Sequence, residues 1–185
     1  MACEKEQMTQ KLQRWAERTA SYRLPEWESI PDFGLYMDQV VVLLQQYLDF
    51  IPADGEGKDS FVTAATINNY VRLKLMPPPV KKKYSRVHLG YLVLILTLKL
   101  SLSMADIARL LPADLSEEQV QALYASFCTR FGRAQQNFAL KLQRWGEEAD
   151  DAAGLLMDCA LSAAFHSLLA GRLIAAEGEM EKSEN

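Results

Sequence analysis

The chain has 185 residues and a net charge of −4, with 49% apolar and 24% charged residues. This composition excludes extensive disorder, and the length suffices for one domain, or a small domain with an appendage, without metal or disulfide staples. The charge is unevenly distributed. Residues 60–105 hold seven Lys and Arg side chains and no Asp or Glu, so the remainder carries −11. We therefore expect a small basic module on an acidic body.

Two helices are predicted before the basic stretch. The first 34 residues give one helix, at residues 4–22, followed by an irregular link that contains Pro25 and Pro31. Apolar residues cover a wide face of residues 35–50, which predicts a second helix. Residues 54–59 are a polar run with two glycines, and we expect a mobile loop there.

Helix caps divide the basic stretch into short helices. Thr63, Ser85 and Ser103 are N-cap residues, and each predicts a helix that begins at the next residue. The first of these helices is placed at residues 64–73, because the three prolines at residues 77–79 cannot continue it.

Two long helices are predicted after residue 113. Ser116 begins one over residues 117–145, and an acidic corner leads to a last helix over residues 152–176, rich in small side chains. We leave open whether these helices form a hairpin within the chain or a dimer interface. The helix over residues 117–145 has a seam, a row of apolar residues with the 3.5-residue spacing of a coiled-coil contact. The seam consists of Val120, Tyr124, Phe127, Phe131, Ala134 and Phe138.

Two apolar stretches, residues 89–102 and 154–176, raise the question of a membrane. Both are predicted to be buried helices of a soluble protein, since Lys99 interrupts the first, and Asp158, His166 and Arg172 the second. The polar first residues lack the features of a signal peptide, and three cysteines without a Cys-x-x-Cys pair do not suggest disulfides. We expect a cytoplasmic protein with no membrane partner.

Motifs for catalysis are not found in this sequence. It has no Gly-rich phosphate loop, no His-Glu zinc helix and no nucleophile elbow. A zinc site from Cys128, Cys159 and His166 would need a fourth ligand and a close approach of two helices, so none is predicted. We expect neither enzymatic activity nor a cofactor.

The helix over residues 64–73 has polar and basic side chains of the types that bind DNA. With Ile67 and Val71 on its inner face, its Asn and Arg side chains remain for a partner. An Asn amide can pair bidentately with adenine, and Arg and Lys side chains bind phosphates. The candidate DNA-binding residues of this helix and the following link are Thr66, Asn68, Asn69, Tyr70, Arg72, Lys74, Lys81, Lys82, Lys83, Tyr84 and Arg86.

Two sequence motifs in this region carry a family resemblance. One comprises Thr66, Ile67, Tyr70, Leu75, Pro77 and Pro78, and the other is the Lys-Lys-Tyr-Ser of residues 82–85. Through them, residues 62–111 resemble the DNA-binding head of the MerR-type transcription regulators. A closer likeness is to a bacterial family of unknown function, whose members carry the Asn-Asn-Tyr-Val of residues 68–71 and the Pro-Pro-Pro-Val-Lys-Lys-Lys-Tyr-Ser-Arg of residues 77–86.

The resemblance implies an all-α protein with a MerR-like helix-turn-helix module at residues 35–112. A helical hairpin at residues 113–177 and a frayed tail at residues 178–185 would follow. It implies a bacterial transcriptional regulator that binds double-stranded DNA, forms a homodimer through its C-terminal helices and has room there for a small-molecule effector.

The sequence also departs from the MerR pattern. Asn68 and Asn69 replace the Arg and Tyr that contact DNA, and Lys74 replaces a Gly. The wing, which in MerR-type proteins lies between the recognition helix and the next helix, is shortened here to a tight link at residues 80–83.

Two other functions remain open at this point. One is a protein-interaction module that has lost DNA binding and docks a partner on its hairpin. The other is a small-molecule sensor, whose pocket would be lined by aromatic residues of the predicted seam, namely Tyr124, Phe127, Phe131 and Phe138.

Overall fold

The computed structural model describes residues 2–51, 61–148 and 152–183, and these residues are helical with no β-strand. The prediction of an all-α protein is therefore confirmed. The predicted loop at residues 54–59 and residues 149–151 of the acidic corner lie outside the described part. The helices are α1 (Ala2–Ser21), α2 (Met37–Tyr47), α3 (Ala64–Arg72), α4 (Arg86–Leu98), α5 (Met104–Leu110), α6 (Glu117–Glu148) and α7 (Ala152–Ser183), and Trp27–Ser29 form a short 3₁₀ helix.

The predicted N-caps are present in the structure. The Thr63 hydroxyl accepts a hydrogen bond from the backbone N–H of Thr66 at 3.1 Å, and the Ser103 hydroxyl accepts one from that of Asp106 at the same distance. At α6, the Ser116 N–H donates to the Gln119 side-chain oxygen at 2.8 Å. These local bonds satisfy N–H groups that a helix leaves unpaired, which is why the helices start where the sequence predicts.

The described side chains divide into two compact units. Leu24–Cys128 belong to the first, which we call the α4 unit, and Met1–Arg23 with Thr129–Ala176 form the second, the α7 unit. The core of the α4 unit surrounds α4, whose residues from His88 to Leu96 are all buried. Gly90 lies against Trp27, so closely that a Cβ at this position would be 2.9 Å from the indole ring.

A short backbone pairing joins the segment before α2 to the segment before α4. Leu35 and Tyr84 exchange two hydrogen bonds, each of 2.9 Å, from N–H to carbonyl. Leu35 is therefore occupied in a β-bridge, and α2 begins at Met37 rather than at residue 35 as predicted. The pairing fixes the residues around Tyr84 beside the start of α2.

In the α7 unit, α1 packs on the second part of α6. Leu12, Ala16 and Leu142 are buried together, and the side-chain N–H₂ of Gln135 donates to the carbonyls of Thr19 and Tyr22 at the end of α1. Such carbonyls have no partner within their own helix, so a buried glutamine is well placed there.

The second half of the seam predicted along α6 is not covered by the described residues of the chain. Ala134 is exposed and Phe138 is 48% exposed, whereas Gln135, Ala139 and Leu142 are buried. The physical reason is the position of α1, which covers a face of α6 that includes the polar Gln135.

The last helix, α7, is also different from the prediction. It continues to Ser183, beyond the predicted end at residue 176. Ala152–Ala176 is long and apolar enough to cross a membrane, although length and composition alone are weak evidence, and none of its most apolar window is buried. The expectation of a buried helix is therefore wrong for residues 154–176, while α4 within residues 89–102 is buried as predicted.

Candidate nucleic-acid interface

One face of α3 is exposed. Ile67 and Tyr70 are buried, and Ala65, Asn68 and Arg72, spaced three and four residues apart, lie on the exposed face. Asn68 makes no hydrogen bond to another described residue, so both its amide groups can bind a partner.

The neighbouring Asn69 is half-buried and orients a cation. Its side-chain oxygen accepts a hydrogen bond of 2.7 Å from the guanidinium of Arg72. This bond holds the positive group of Arg72 along the helix surface.

The C-terminal end of α3 has a left-handed residue, Lys74, with φ of 57°. The N–H of Leu75 donates to the Tyr70 carbonyl at 3.0 Å, and the N–H of Lys74 donates to the Val71 carbonyl at 3.1 Å. This pattern is a Schellman motif, in which the left-handed position is normally glycine. The Gly that Lys74 replaces in the MerR pattern therefore corresponds to a position that favours glycine.

The lysine run forms a tight hairpin turn. Val80 and Lys83 exchange hydrogen bonds of 3.1 and 2.9 Å, and between them Lys81 and Lys82 have φ of 51° and 63°. Positive φ at both central residues is the feature of a type I′ turn, where Asn-Gly is favoured. In the described backbone, the non-glycine residues with positive φ are Lys74, Lys81 and Lys82.

This lysine turn lies next to the first turn of α3. Lys82 lines an open groove of about 870 Å³ together with Thr63 and Ala64. The groove also has one carboxylate in its lining, that of Asp38 in the first turn of α2. Lys81, Lys82 and Lys83 are all exposed, so the turn presents three cations at one end of α3 while Lys74 presents a fourth at the other.

Sequence reasoning missed the segment that supports the turn. A Cβ on Gly34 would lie 2.9 Å from the Lys83 side chain, and the Lys83 ammonium is 5.5 Å from the ring centroid of Tyr36. Tyr36 is 53% exposed, and the nearby Phe33 of the same segment is 67% exposed. The one local signal was Gly34 between two large apolar residues, which is typical of close backbone approach.

Several predicted site residues lie inside the fold instead. Tyr70 and Tyr84 are buried, and burial raises the pKa of Tyr70 to about 12 and raises that of Tyr84. Arg86 donates from Nε to the Ile30 carbonyl at 2.8 Å, and its guanidinium is 5.9 Å from the Trp27 ring centroid. We therefore leave these three residues out of the interface.

Thr66 and Lys99 also have internal roles. The Thr66 hydroxyl is 2.8 Å from that of Thr63, within the cap of α3. The Lys99 ammonium lies 3.9 Å from the Phe61 ring centroid, and burial lowers its pKa. The exposed cations of residues 60–105 are thus Arg72, Lys74, Lys81, Lys82 and Lys83.

The aromatic residues predicted to line a sensor pocket differ in their surroundings. Tyr124 is buried, and its hydroxyl donates to the Pro25 carbonyl at 2.8 Å. Phe131 packs edge-on against Tyr22 with ring centroids 5.9 Å apart, and Phe138 is exposed.

Comparison with known families gives one result. Residues 25–127 match a family described as a domain of unknown function (DUF1836), which is more than half of the chain. The matched residues coincide with the α4 unit, Leu24–Cys128. The match gives no link to MerR-type regulators, and no curated protein and no solved structure matches the chain.

Proposed function

We propose, on the premise that the chain belongs to this family of unknown function, that its α4 unit binds double-stranded DNA. The protein would then be a non-enzymatic, MerR-like transcriptional regulator in a bacterial cytoplasm. In this proposal α3 enters the major groove, Asn68 reads a base edge, and the five exposed cations hold phosphates.

One observation carries the proposal: lysines occupy the three left-handed non-glycine positions of the described backbone. A non-glycine residue in this conformation costs about 1 kcal/mol or more, and Gly or Asn would avoid most of that cost. Lys74, Lys81 and Lys82 are exposed, so side-chain burial is a weak explanation for the choice of lysine at these positions. Their positive charge is what Gly or Asn could not supply, and this supports a polyanionic partner.

The spacing of the charges supports a duplex. The nine residues of α3 span roughly 14 Å at 1.5 Å per residue, with Lys74 at one end and Lys82 at the other. The major groove of B-DNA is about 12 Å wide. A helix of this length, with cations at both ends, can place its middle against bases while its ends contact phosphates.

The test is the salt dependence of binding to duplex DNA. With five phosphates neutralised per protomer, log K should fall with log salt with a slope of about −4 to −5. A variant with Lys81, Lys82 and Lys83 all changed to Glu should lose binding by at least a hundredfold.

The matched control makes the same charge change in the α7 unit, where Lys11, Arg130 and Arg133 are exposed. Changing these three residues to Glu should weaken binding far less. A slope near zero for the unaltered protein, or equal losses in the two variants, would overturn the proposal. In that case the alternative of a protein-interaction module would replace it.

A further inference from the structure

The outer surface of α7 is apolar, and no other described residue covers it. Leu155 and Ser162 face the unit to which α7 belongs, and large side chains elsewhere on α7 are half or more exposed. These side chains amount to several hundred Å² of apolar surface, at or above the largest patch of a typical monomer. They are Leu156, Met157, Leu161, Phe165, Leu168, Leu169 and Leu173.

The neighbours of α7 argue against a lipid bilayer as the cover. The Lys141 ammonium hydrogen-bonds the Ser162 hydroxyl at 3.2 Å, and Leu155 packs on the cluster that contains Leu12 of α1. Helices α1 and α6 carry many charged residues, so a spanning α7 would bring those charges into hydrocarbon at a cost of several kcal/mol each. A protein surface is therefore a better candidate than a lipid bilayer to cover the apolar face of α7.

The exposed residues of α7 form a self-complementary pattern about Phe165. Asp158 lies seven residues before Phe165 and Arg172 seven after, while Leu161 and Leu169 lie four residues before and after. At 100° per residue these five positions fall within an arc of about 80°, less than a quarter of the helix circumference. Asp158 and Arg172 are exposed, and neither forms an ion pair with another described residue.

We propose that α7 pairs with α7 of a second copy of this chain, antiparallel, about a two-fold axis at Phe165. In that arrangement Asp158 faces the second copy's Arg172, and Leu161 faces its Leu169, twice each, as an isologous interface requires. A parallel pair would place Asp158 on Asp158 and Arg172 on Arg172. The charges therefore select the antiparallel direction. The proposal concerns residues outside the family match and does not depend on DNA binding.

Charge reversal tests the pairing through light scattering and sedimentation of the full chain without DNA. The unaltered protein should be a dimer. Asp158→Arg and Arg172→Asp should each weaken dimerisation by at least tenfold, and the double variant should restore it. Restoration is informative because a folding defect in either single variant would persist in the double variant. A monomeric unaltered protein, or a double variant no better than the singles, overturns the proposal.

Cross-linking tests the register in a background with Cys3, Cys128 and Cys159 changed to Ser. Phe165→Cys should form an intermolecular disulfide on its own. Leu161→Cys should not, but should cross-link when mixed with Leu169→Cys. Self-cross-linking of Leu161→Cys would indicate a parallel pair and reject the register. Flotation of the unaltered protein with vesicles of neutral and anionic phospholipids would instead identify a membrane as the cover.

Discussion

The α4 unit and the α7 unit differ in how far their apolar helices are buried. In the α4 unit nearly all of α4 is buried, and the exposed side chains around α3 include five cations and the amide of Asn68. In the α7 unit a helix of similar apolar character lies at the surface, with Phe165 69% exposed. A closed core with a polar exposed face suits a charged partner, whereas an open apolar face is incomplete without another apolar surface.

The largest difference between the units should appear when a leucine is truncated. Leu92→Ala removes a fully buried side chain from the α4 core and should lower the free energy of unfolding by about 3 kcal/mol. Leu168→Ala removes an exposed one and should change the stability of the monomer by less than about 0.5 kcal/mol. Urea unfolding at low protein concentration measures both. Similar losses would contradict the distinction drawn between the two units.

The second prediction separates stability from binding in the lysine turn. Changing Lys81 to Asn and Lys82 to Gly supplies the preferred type I′ residues and should raise the unfolding free energy by about 1–2 kcal/mol. The same change should make the salt slope of DNA binding shallower by about 2. Lys83 lacks the left-handed conformation, so Lys83→Asn is the control that should weaken binding without stabilising the fold. A destabilised double variant would show that the turn is not strained.

Lys74→Gly should have a smaller effect of the same kind. Glycine removes the steric strain of the left-handed conformation and should stabilise the unit by about 1 kcal/mol. The salt slope of DNA binding should become shallower by about 1. Arg72→Gly, at a helical position, should also lose a phosphate contact but should lower stability. Thermal unfolding and DNA titration of the two variants give the comparison. Loss of stability in Lys74→Gly would count against the Schellman geometry.

The smallest expected effect concerns pH. Burial lowers the pKa of His88 despite its hydrogen bond to the Pro78 carbonyl, while the unfolded imidazole keeps a pKa near 6.5. The unfolded state therefore takes up the proton first, and stability should decline as pH falls below 6.5.

A control variant isolates this histidine from other acid effects. His88→Gln keeps an acceptor for the Ser85 N–H and removes the titration. Denaturation midpoints at pH 7.5 and 5.5 should differ more in the unaltered protein than in this variant. Equal differences would remove His88 from the explanation.

The helix starts were predictable because caps are local. Thr63, Ser103 and Ser116 bond to groups within three residues, so sequence spacing contains the whole interaction. The pairing of Leu35 with Tyr84 joins residues far apart in the chain, and no local pattern predicts it. The same limit explains why Arg86 was expected on DNA, since its partners Ile30 and Trp27 come from a distant segment.

What covers a helix was the least predictable property. The apolar face of α4 and that of α7 look alike in sequence, yet one is enclosed by neighbouring elements and the other is not. Likewise, the seam of α6 gave no sign that α1 would cover Gln135 rather than Phe138. The exposed part of the candidate interface, from Asn68 to Lys83, was predicted because its charge and amide content are visible without any contact.

The capping residues have an electrostatic consequence for the basic surface. Helices α5 and α6 carry Asp106 or Glu118 in their first turns, but α3 and α4 have no acidic residue there. The α4 cap uses the imidazole of His88 instead. About half a positive charge at each of these two helix starts therefore stays unneutralised. Part of the field around the lysine turn belongs to the peptide backbone, and side-chain substitution alone cannot remove it.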